Sequence, residues 1–121
     1  MRDNRDFDPR PEAVPEVRSF IREALAESPL VEDVVLVASE LAGNVVRHAQ
    51  TEFTVSLVME DIVRLEVSDG SSIIPAVEEL SETHRGLRLV EAASEHWGIE
   101  LTETGKKVWV EFPSIPNRSG A

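Results

Sequence analysis

The sequence contains no cysteine, and no apolar run approaches the roughly 20 residues that a membrane-spanning helix requires. Disulfide cross-links are therefore excluded, and neither a membrane span nor a lipid anchor is expected. The first residues lack the charged-then-apolar pattern of a secretory leader, so a cytoplasmic protein is expected. The chain has 121 residues, which is the size of one domain with a single hydrophobic core.

Basic residues are scarce relative to acidic ones. Twelve Lys and Arg residues stand against 23 Asp and Glu residues, which gives a formal net charge of -11. Such a charge repels a phosphate backbone, so nucleic-acid binding is not expected. A basic protein partner, or an anion accompanied by a cation, suits this charge better.

The N-terminal part of the chain predicts a short edge strand followed by two helices. Residues 1–12 mix charges with two prolines, so they form at most an edge strand ahead of the main domain, residues 13–113. Apolar residues recur at helical spacing from Val14 to Leu25, which predicts an amphipathic helix. A second helix is predicted to begin at Ser28, because serine caps free amides and the proline after it suits the first helical position.

The body of the second helix includes the segment VVLVAS, whose β-branched residues would also suit a strand. A helix is favoured because Val34, Ala38, Leu41 and Val45 recur at helical spacing, which strict alternation would not produce.

Two hairpins are predicted downstream. The segments TEFTVSLVMED and IVRLEVSDG alternate with period two around a tight turn at Glu60 and Asp61, and HWGIELT and KKVWVEF pair through residues 103–105. A loop over residues 71–84 and a short helix entered through Gly86 separate the hairpins. Residues 114–121 are predicted to be a disordered tail. This order predicts an α+β two-layer sandwich, with helices on one face of a mostly antiparallel sheet.

Three polar residues interrupt the second helix at intervals of four: Glu40, Asn44 and His48, within SELAGNVVRHA. Each step turns about 40° around an α-helix, so the three side chains are predicted to line one narrow stripe. A carboxylate suits a general base, and an amide oxygen suits a hard cation such as Mg²⁺. The alternative is a solvated polar face, in which the helix dipole alone favours a histidine near the C-terminus.

Asp69 extends the apolar face of Val63, Leu65 and Val67, so the strand delivers a carboxylate to the end of an apolar stripe. Burying that charge without a partner would be costly, so it requires a donor. A backbone amide or the exocyclic amine of a ligand would serve. The alternative is an acid that simply caps the turn DGSS.

Arg85 and Gly86 stand where a loop becomes a helix. Free amides at a helix start bind anions, and glycine lets a phosphate approach closely. The alternative is an ordinary helix start with a solvated arginine.

In this order, the segments SELAGNVVRHA, LEVSDGS, HRGLRLVEAASEHWG and GKKVWVEF resemble the nucleotide-binding fold shared by gyrase, the heat-shock chaperone, histidine kinases and the mismatch-repair protein. More narrowly, the chain resembles the small bacterial anti-sigma factors that are also serine kinases, from Val14 to Phe112. The resemblance implies that Glu40 is the catalytic base, Asn44 a magnesium ligand beside the triphosphate, and Asp69 the acceptor for the adenine amino group.

The resemblance also implies a histidine-kinase-like ATPase fold with a lid over ATP at residues 71–84. Further nucleotide contacts are implied at His48, Gly70, Arg85, Gly86 and Leu87.

The implied activity is that of a serine/threonine protein kinase. It would transfer the γ-phosphoryl group of ATP, with Mg²⁺, to a STAS-type anti-sigma factor antagonist, and it would sequester a sigma factor. A homodimer through the exposed sheet face or a sheet edge is compatible with the resemblance.

Two departures from the resembled family leave an alternative open. The first glycine box reads DGSSI, with Gly70 alone, and Lys107 stands where relatives tend to have a threonine that supports the adenine. By alternation Lys107 shares a face with Trp109 and Glu111, opposite Val108. The alternative function is a protein-binding module of the same fold that sequesters its partner without phosphoryl transfer.

Overall fold

The computed structural model describes residues 1–73 and 90–113. The elements of these ranges are β1 (Arg2–Phe7), α1 (Ala13–Ala24), α2 (Val31–Asn44), β2 (Phe53–Met59), β3 (Val63–Asp69), β4 (His96–Leu101) and β5 (Lys106–Phe112). A π-helical turn, Val45–Ala49, continues α2, and residues 90–93 are helical. The strands form one antiparallel sheet in the order β1-β2-β3-β5-β4.

One face of this sheet packs against α1 and α2 and forms the core. Every second residue of the central strands points to this side, and the most deeply buried of them are Phe53, Val55, Leu57, Leu65, Val67, Val110 and Phe112. Each such side chain contributes roughly 1.5–3 kcal/mol by leaving water. The predicted α+β sandwich, with helices on one sheet face, is confirmed.

The two helices place apolar stripes on this face, as their sequence spacing predicts. In α1, Val17, Phe20 and Ile21 are buried, and the ring of Phe20 meets that of Phe7 edge-on at 6.4 Å between centroids. The segment VVLVAS is helical, within α2. On the outer side, Arg18 Nε donates to Ser39 Oγ at 2.9 Å and links the helices.

The predicted start of α2 at Ser28 is wrong, because the helix begins at Val31. The Ser28 hydroxyl accepts a hydrogen bond from the Leu30 amide at 3.1 Å, and the Ser28 backbone carbonyl accepts one from the Val31 amide at 3.3 Å. The bond from the Leu30 amide is of the kind that a capping serine makes, but here it lies in a turn that precedes the first α-helical residue. The acids Glu32 and Asp33 do lie in the first helical turn.

The end of the second helix also differs from the prediction, because its last five residues form a π turn. The Gln50 amide bonds to the Val45 carbonyl at 2.7 Å, five residues earlier, and Gln50 has a left-handed backbone with φ of 55°. A π turn is wider than an α turn. The angular relation between Asn44 and His48 therefore differs from the one that α-helical spacing predicts.

Three predictions fall mostly or wholly outside the described residues. They are most of the lid loop at 71–84, the start of the helix after it, and the tail at 114–121. Within the ranges that the structure does describe, no helix has the length and apolar character needed to cross a bilayer.

Candidate functional site

Asp69, the last residue of β3, is buried and paired with the first residue of β5, Lys106. Lys106 Nζ lies 3.1 Å from Asp69 Oδ1, and the two side chains are 7% and 3% exposed. The Ser71 amide donates to the same Asp69 oxygen at 2.8 Å, and Lys106 also donates to the Ser71 carbonyl at 3.3 Å. The donors that the buried carboxylate requires are therefore an ammonium and a backbone amide of the chain itself.

The strand alternation of β5 explains why Lys106 is buried. Lys106 shares the core face with Val110 and Phe112, whereas Lys107 lies on the opposite face, where its Nζ is 3.8 Å from Glu66 Oε1. An ammonium does enter the face on which Asp69 lies, but it belongs to Lys106 and not to Lys107.

Gly105 allows the turn before β5 to pack closely against the end of β3. A Cβ atom on Gly105 would lie 1.9 Å from the Asp69 carbonyl oxygen and 2.8 Å from Gly70 Cα. No side chain fits in that space. The position of Lys106 beside Asp69 therefore depends on a glycine immediately before it.

A hydrogen bond connects the end of β3 with the segment that leaves the second helix. The Gly70 amide donates to Thr51 Oγ1 at 2.8 Å, two residues after the π turn. The structure thus brings the end of the helical segment and the Asp69 turn to the same region of the molecule.

The polar residues of the helical stripe have different surroundings. Glu40 is half-buried and makes no side-chain hydrogen bond or ion pair with any residue in 1–73 or 90–113. Asn44 is also half-buried, and its Oδ1 accepts a hydrogen bond from Arg47 Nη2 at 2.9 Å. His48 is exposed. Glu40 is therefore an available carboxylate, whereas the Asn44 oxygen already has one donor.

The amide oxygen of Asn44 would suit a magnesium ion that is held by few protein ligands. Among the described residues, no group of three or more His, Cys, Asp or Glu side chains is arranged to hold a metal. Magnesium is commonly bound through one or two protein oxygens together with phosphate and water, so the single amide oxygen of Asn44 suits it.

Three residues that the sequence did not point to each bond to one predicted site residue: Arg47 to Asn44, Thr51 to Gly70 and Lys106 to Asp69. The alternation of β5 carried the signal for Lys106, since it places this lysine in register with Val108 and Val110 on the core face. No sequence pattern marks the bond from Thr51 to the Gly70 amide, because it joins segments that only the fold brings together. The predicted contacts at Arg85, Gly86 and Leu87 lie outside the described residues.

A second polar cluster lies on the opposite face of the sheet and is centred on Glu66, whose side chain is 7% exposed. Arg64 Nε donates to it at 2.8 Å and Arg2 Nη1 at 3.1 Å. Arg64 also bonds to Glu111 at 2.8 Å and lies 4.5 Å above the ring of Trp109. Burial raises the pKa of Glu66, but the hydrogen bonds from Arg64 and Arg2 outweigh it and leave the pKa below its usual value of 4.5.

A family model, that of the histidine kinase-like ATPase domain, matches residues 7–112. The chain belongs to the histidine kinase-like ATPase domain family. Membership makes ATP the expected nucleotide of this ATPase domain.

Among solved structures, the RsbU and RsbW domains of Rv1364c from Mycobacterium tuberculosis are similar to this ATPase domain, with a TM-score of 0.72. The sequence identity is 21%, over 93% of this chain and 32% of that one. At that identity the likeness shows the fold, and this chain spans about a third of the length of the protein it matches. No curated protein sequence matches the chain.

Proposed function

We propose that this ATPase domain is an anti-sigma factor with serine/threonine protein kinase activity. It would transfer the γ-phosphoryl group of Mg-ATP to an antagonist protein of STAS type and, once released by that modification, bind a sigma factor. Such partners would place the protein in the cytoplasm. The family membership, the sequence resemblance and the fold shared with a protein that contains an RsbW domain support this proposal.

The observation that carries the proposal is the availability of Glu40. This carboxylate is half-buried, has no partner in the described part of the chain, and precedes Asn44 by one helical turn. A structural acid in that setting normally finds a donor, because an uncompensated charge near the protein interior costs free energy. A general base must instead keep its lone pairs accessible to a substrate hydroxyl.

Each residue of the site would have one role. Glu40 would accept the proton of the partner's hydroxyl group. The hydroxyl oxygen would at the same time bond to the γ-phosphorus, and the bond from that phosphorus to ADP would break. Asn44 Oδ1 would bind Mg²⁺, which neutralises charge on the phosphates. Asp69 would accept a hydrogen bond from the adenine amino group. Positioning and charge neutralisation would contribute most of the rate.

Five further residues would contact the nucleotide: His48, Gly70, Arg85, Gly86 and Leu87. His48 and Gly70 are among the described residues, and Arg85, Gly86 and Leu87 are not.

Transfer of radiolabel from γ-labelled ATP tests the catalytic role of Glu40. The acceptor is an antagonist protein identified by co-purification, and the rate is compared between wild type, Glu40→Gln and the control Glu23→Gln, an exposed acid of α1. We expect Glu40→Gln to lose about 10²- to 10⁴-fold in rate, the usual contribution of a general base, and Glu23→Gln to lose none. Full transfer by Glu40→Gln would exclude its role as the base.

A second candidate function is a protein-binding module that sequesters its partner without phosphoryl transfer. Two observations favour it, because Lys106 occupies the Asp69 carboxylate and Arg47 occupies the Asn44 oxygen. If the protein is such a binding module, we expect the same affinity for the partner with and without Mg-ATP. If the protein is a kinase, we expect the nucleotide to change that affinity.

A further inference from the structure

We propose that Lys106 is an internal competitor of the nucleotide. Its ammonium binds the carboxylate that would receive the amino group of the base, so nucleotide binds only after this ion pair opens, and the affinity is lowered. This inference rests on the proposed function, in which Asp69 contacts the base.

The geometry of the ion pair supports competition at one oxygen atom of the carboxylate, Oδ1. Asp69 Oδ1 already accepts hydrogen bonds from Lys106 Nζ at 3.1 Å and from the Ser71 amide at 2.8 Å. Both the ammonium and an uncharged amino group can donate a hydrogen bond to the carboxylate, but only the ammonium adds the Coulomb attraction between two opposite charges. An uncharged amino group therefore gains less from the carboxylate than the departing ammonium loses.

Burial increases the cost of opening the pair. The side chains of Asp69 and Lys106 are 3% and 7% exposed, so neither ion exchanges its partner for bulk water without rearrangement. Separating two buried charges leaves each poorly compensated. The cost of nucleotide binding is thus set by Lys106 as well as by contacts with the nucleotide itself.

The backbone restricts how the pair opens. Gly105 packs so closely against Asp69 and Gly70 that the start of β5 is fixed against the end of β3. With the backbone held in place, the pair would open by rotation of the four-carbon stem of Lys106, which would carry the ammonium to solvent. A substitution of this one side chain therefore tests the competition without altering the strand pairing.

Titration calorimetry with Mg-ATP compares wild type with Lys106→Thr. Threonine suits a strand and removes the ammonium. We expect Lys106→Thr to bind about 10- to 100-fold more tightly, the range that corresponds to one hydrogen bond to a charged group. The matched control is Lys107→Thr, the adjacent lysine on the opposite sheet face, which should bind as wild type does. Lys106→Arg keeps the cation and should bind no more tightly than wild type.

The outcomes separate this inference from the proposed function. Equal Mg-ATP affinity in wild type and Lys106→Thr would overturn the competition and leave the kinase proposal standing. Binding by Lys106→Thr alone would support the competition and contradict phosphoryl transfer by the wild type. Absence of binding by both would overturn the two proposals together.

Folding of the variants is checked by their melting curves, since Lys106→Thr leaves Asp69 without its cation. If that variant does not fold, Lys106→Gln takes its place, because glutamine keeps an N–H donor for Asp69 and removes only the charge. Lys106→Gln must then bind Mg-ATP more tightly than wild type, and equal or weaker binding would overturn the competition.

Discussion

Asp69 and Lys106 lie opposite each other in the register of β3 and β5, and their side chains form a buried ion pair with 3.1 Å between Oδ1 and Nζ. Lys106 is therefore the counterion of the Asp69 carboxylate, which lies at the end of the apolar face of β3. In the proposed nucleotide site, a ligand that binds the Asp69 carboxylate would compete with Lys106 for it.

Removing one partner of this pair should cost much more than removing both. We expect Asp69→Ala to lower the free energy of unfolding by about 3–5 kcal/mol, because it leaves a buried ammonium without a counterion. The double variant Asp69→Ala with Lys106→Met should recover part of that loss. Urea denaturation measures all three proteins, and a double variant less stable than Asp69→Ala would show that the pair is not coupled.

Gly105 should not tolerate a side chain. Gly105→Ala places a methyl group 1.9 Å from the Asp69 carbonyl oxygen, so the turn and the end of β3 must separate, at a cost of about 3 kcal/mol or more. Gly70→Ala is the matched control, because its Cβ would lie 3.4 Å from the nearest atom of Thr51, an ordinary contact. It should change stability by about 0.5 kcal/mol or less. Similar losses in the two variants would contradict the close packing at Gly105.

Glu66 should contribute to stability at neutral pH and lose that contribution in acid. Its pKa is lowered in the folded state, so its stabilisation is complete above the unfolded value and declines as the pH falls below about 4.5 through the folded pKa. We expect Glu66→Gln to be roughly 2 kcal/mol less stable than wild type at pH 7, with the gap closing towards pH 3. Chemical denaturation at both pH values measures the gap.

The control for Glu66 is Glu100→Gln, an exposed acid on the same sheet face. It should show no comparable gap at either pH. A stability difference for Glu66→Gln that stays constant from pH 7 to pH 3 would contradict the role of the carboxylate charge.

The variants Arg47→Ala and Asn44→Ala should differ in how much Mg-ATP raises their melting temperature. The bond from Arg47 to the Asn44 oxygen lies at the surface, so Arg47→Ala frees the proposed magnesium ligand at little cost in stability. Saturating Mg-ATP should raise the melting temperature of Arg47→Ala at least as much as that of wild type, since ligands stabilise the state they bind. Asn44→Ala should show no rise. A thermal shift that survives in Asn44→Ala would remove this residue from the site.

Patterns with a period allowed much of the fold to be predicted from the sequence. The spacing of Val34, Ala38 and Leu41 identified a helix despite its β-branched residues, and alternation identified both hairpins, because a buried face imposes its period on the sequence. The start of α2 was not predictable in this way, since the Ser28 hydroxyl suits a turn as well as a helix end.

Only those residues of the candidate site that follow a regular helix or strand spacing were predictable from the sequence. Alternation placed Asp69 on the apolar face and carried the signal for Lys106 as well. The bond between Thr51 and Gly70, and the π turn that ends the helical stripe, depend on how distant or irregular segments pack. No spacing rule covers such contacts.

The most direct test of the nucleotide site is titration calorimetry of the wild-type protein with Mg-ATP, repeated with Asn44→Ala. We expect saturable binding to the wild type and none to Asn44→Ala, because the amide oxygen of Asn44 is the proposed magnesium ligand. Absence of binding to the wild type, or equal binding by the wild type and Asn44→Ala, would contradict this nucleotide site.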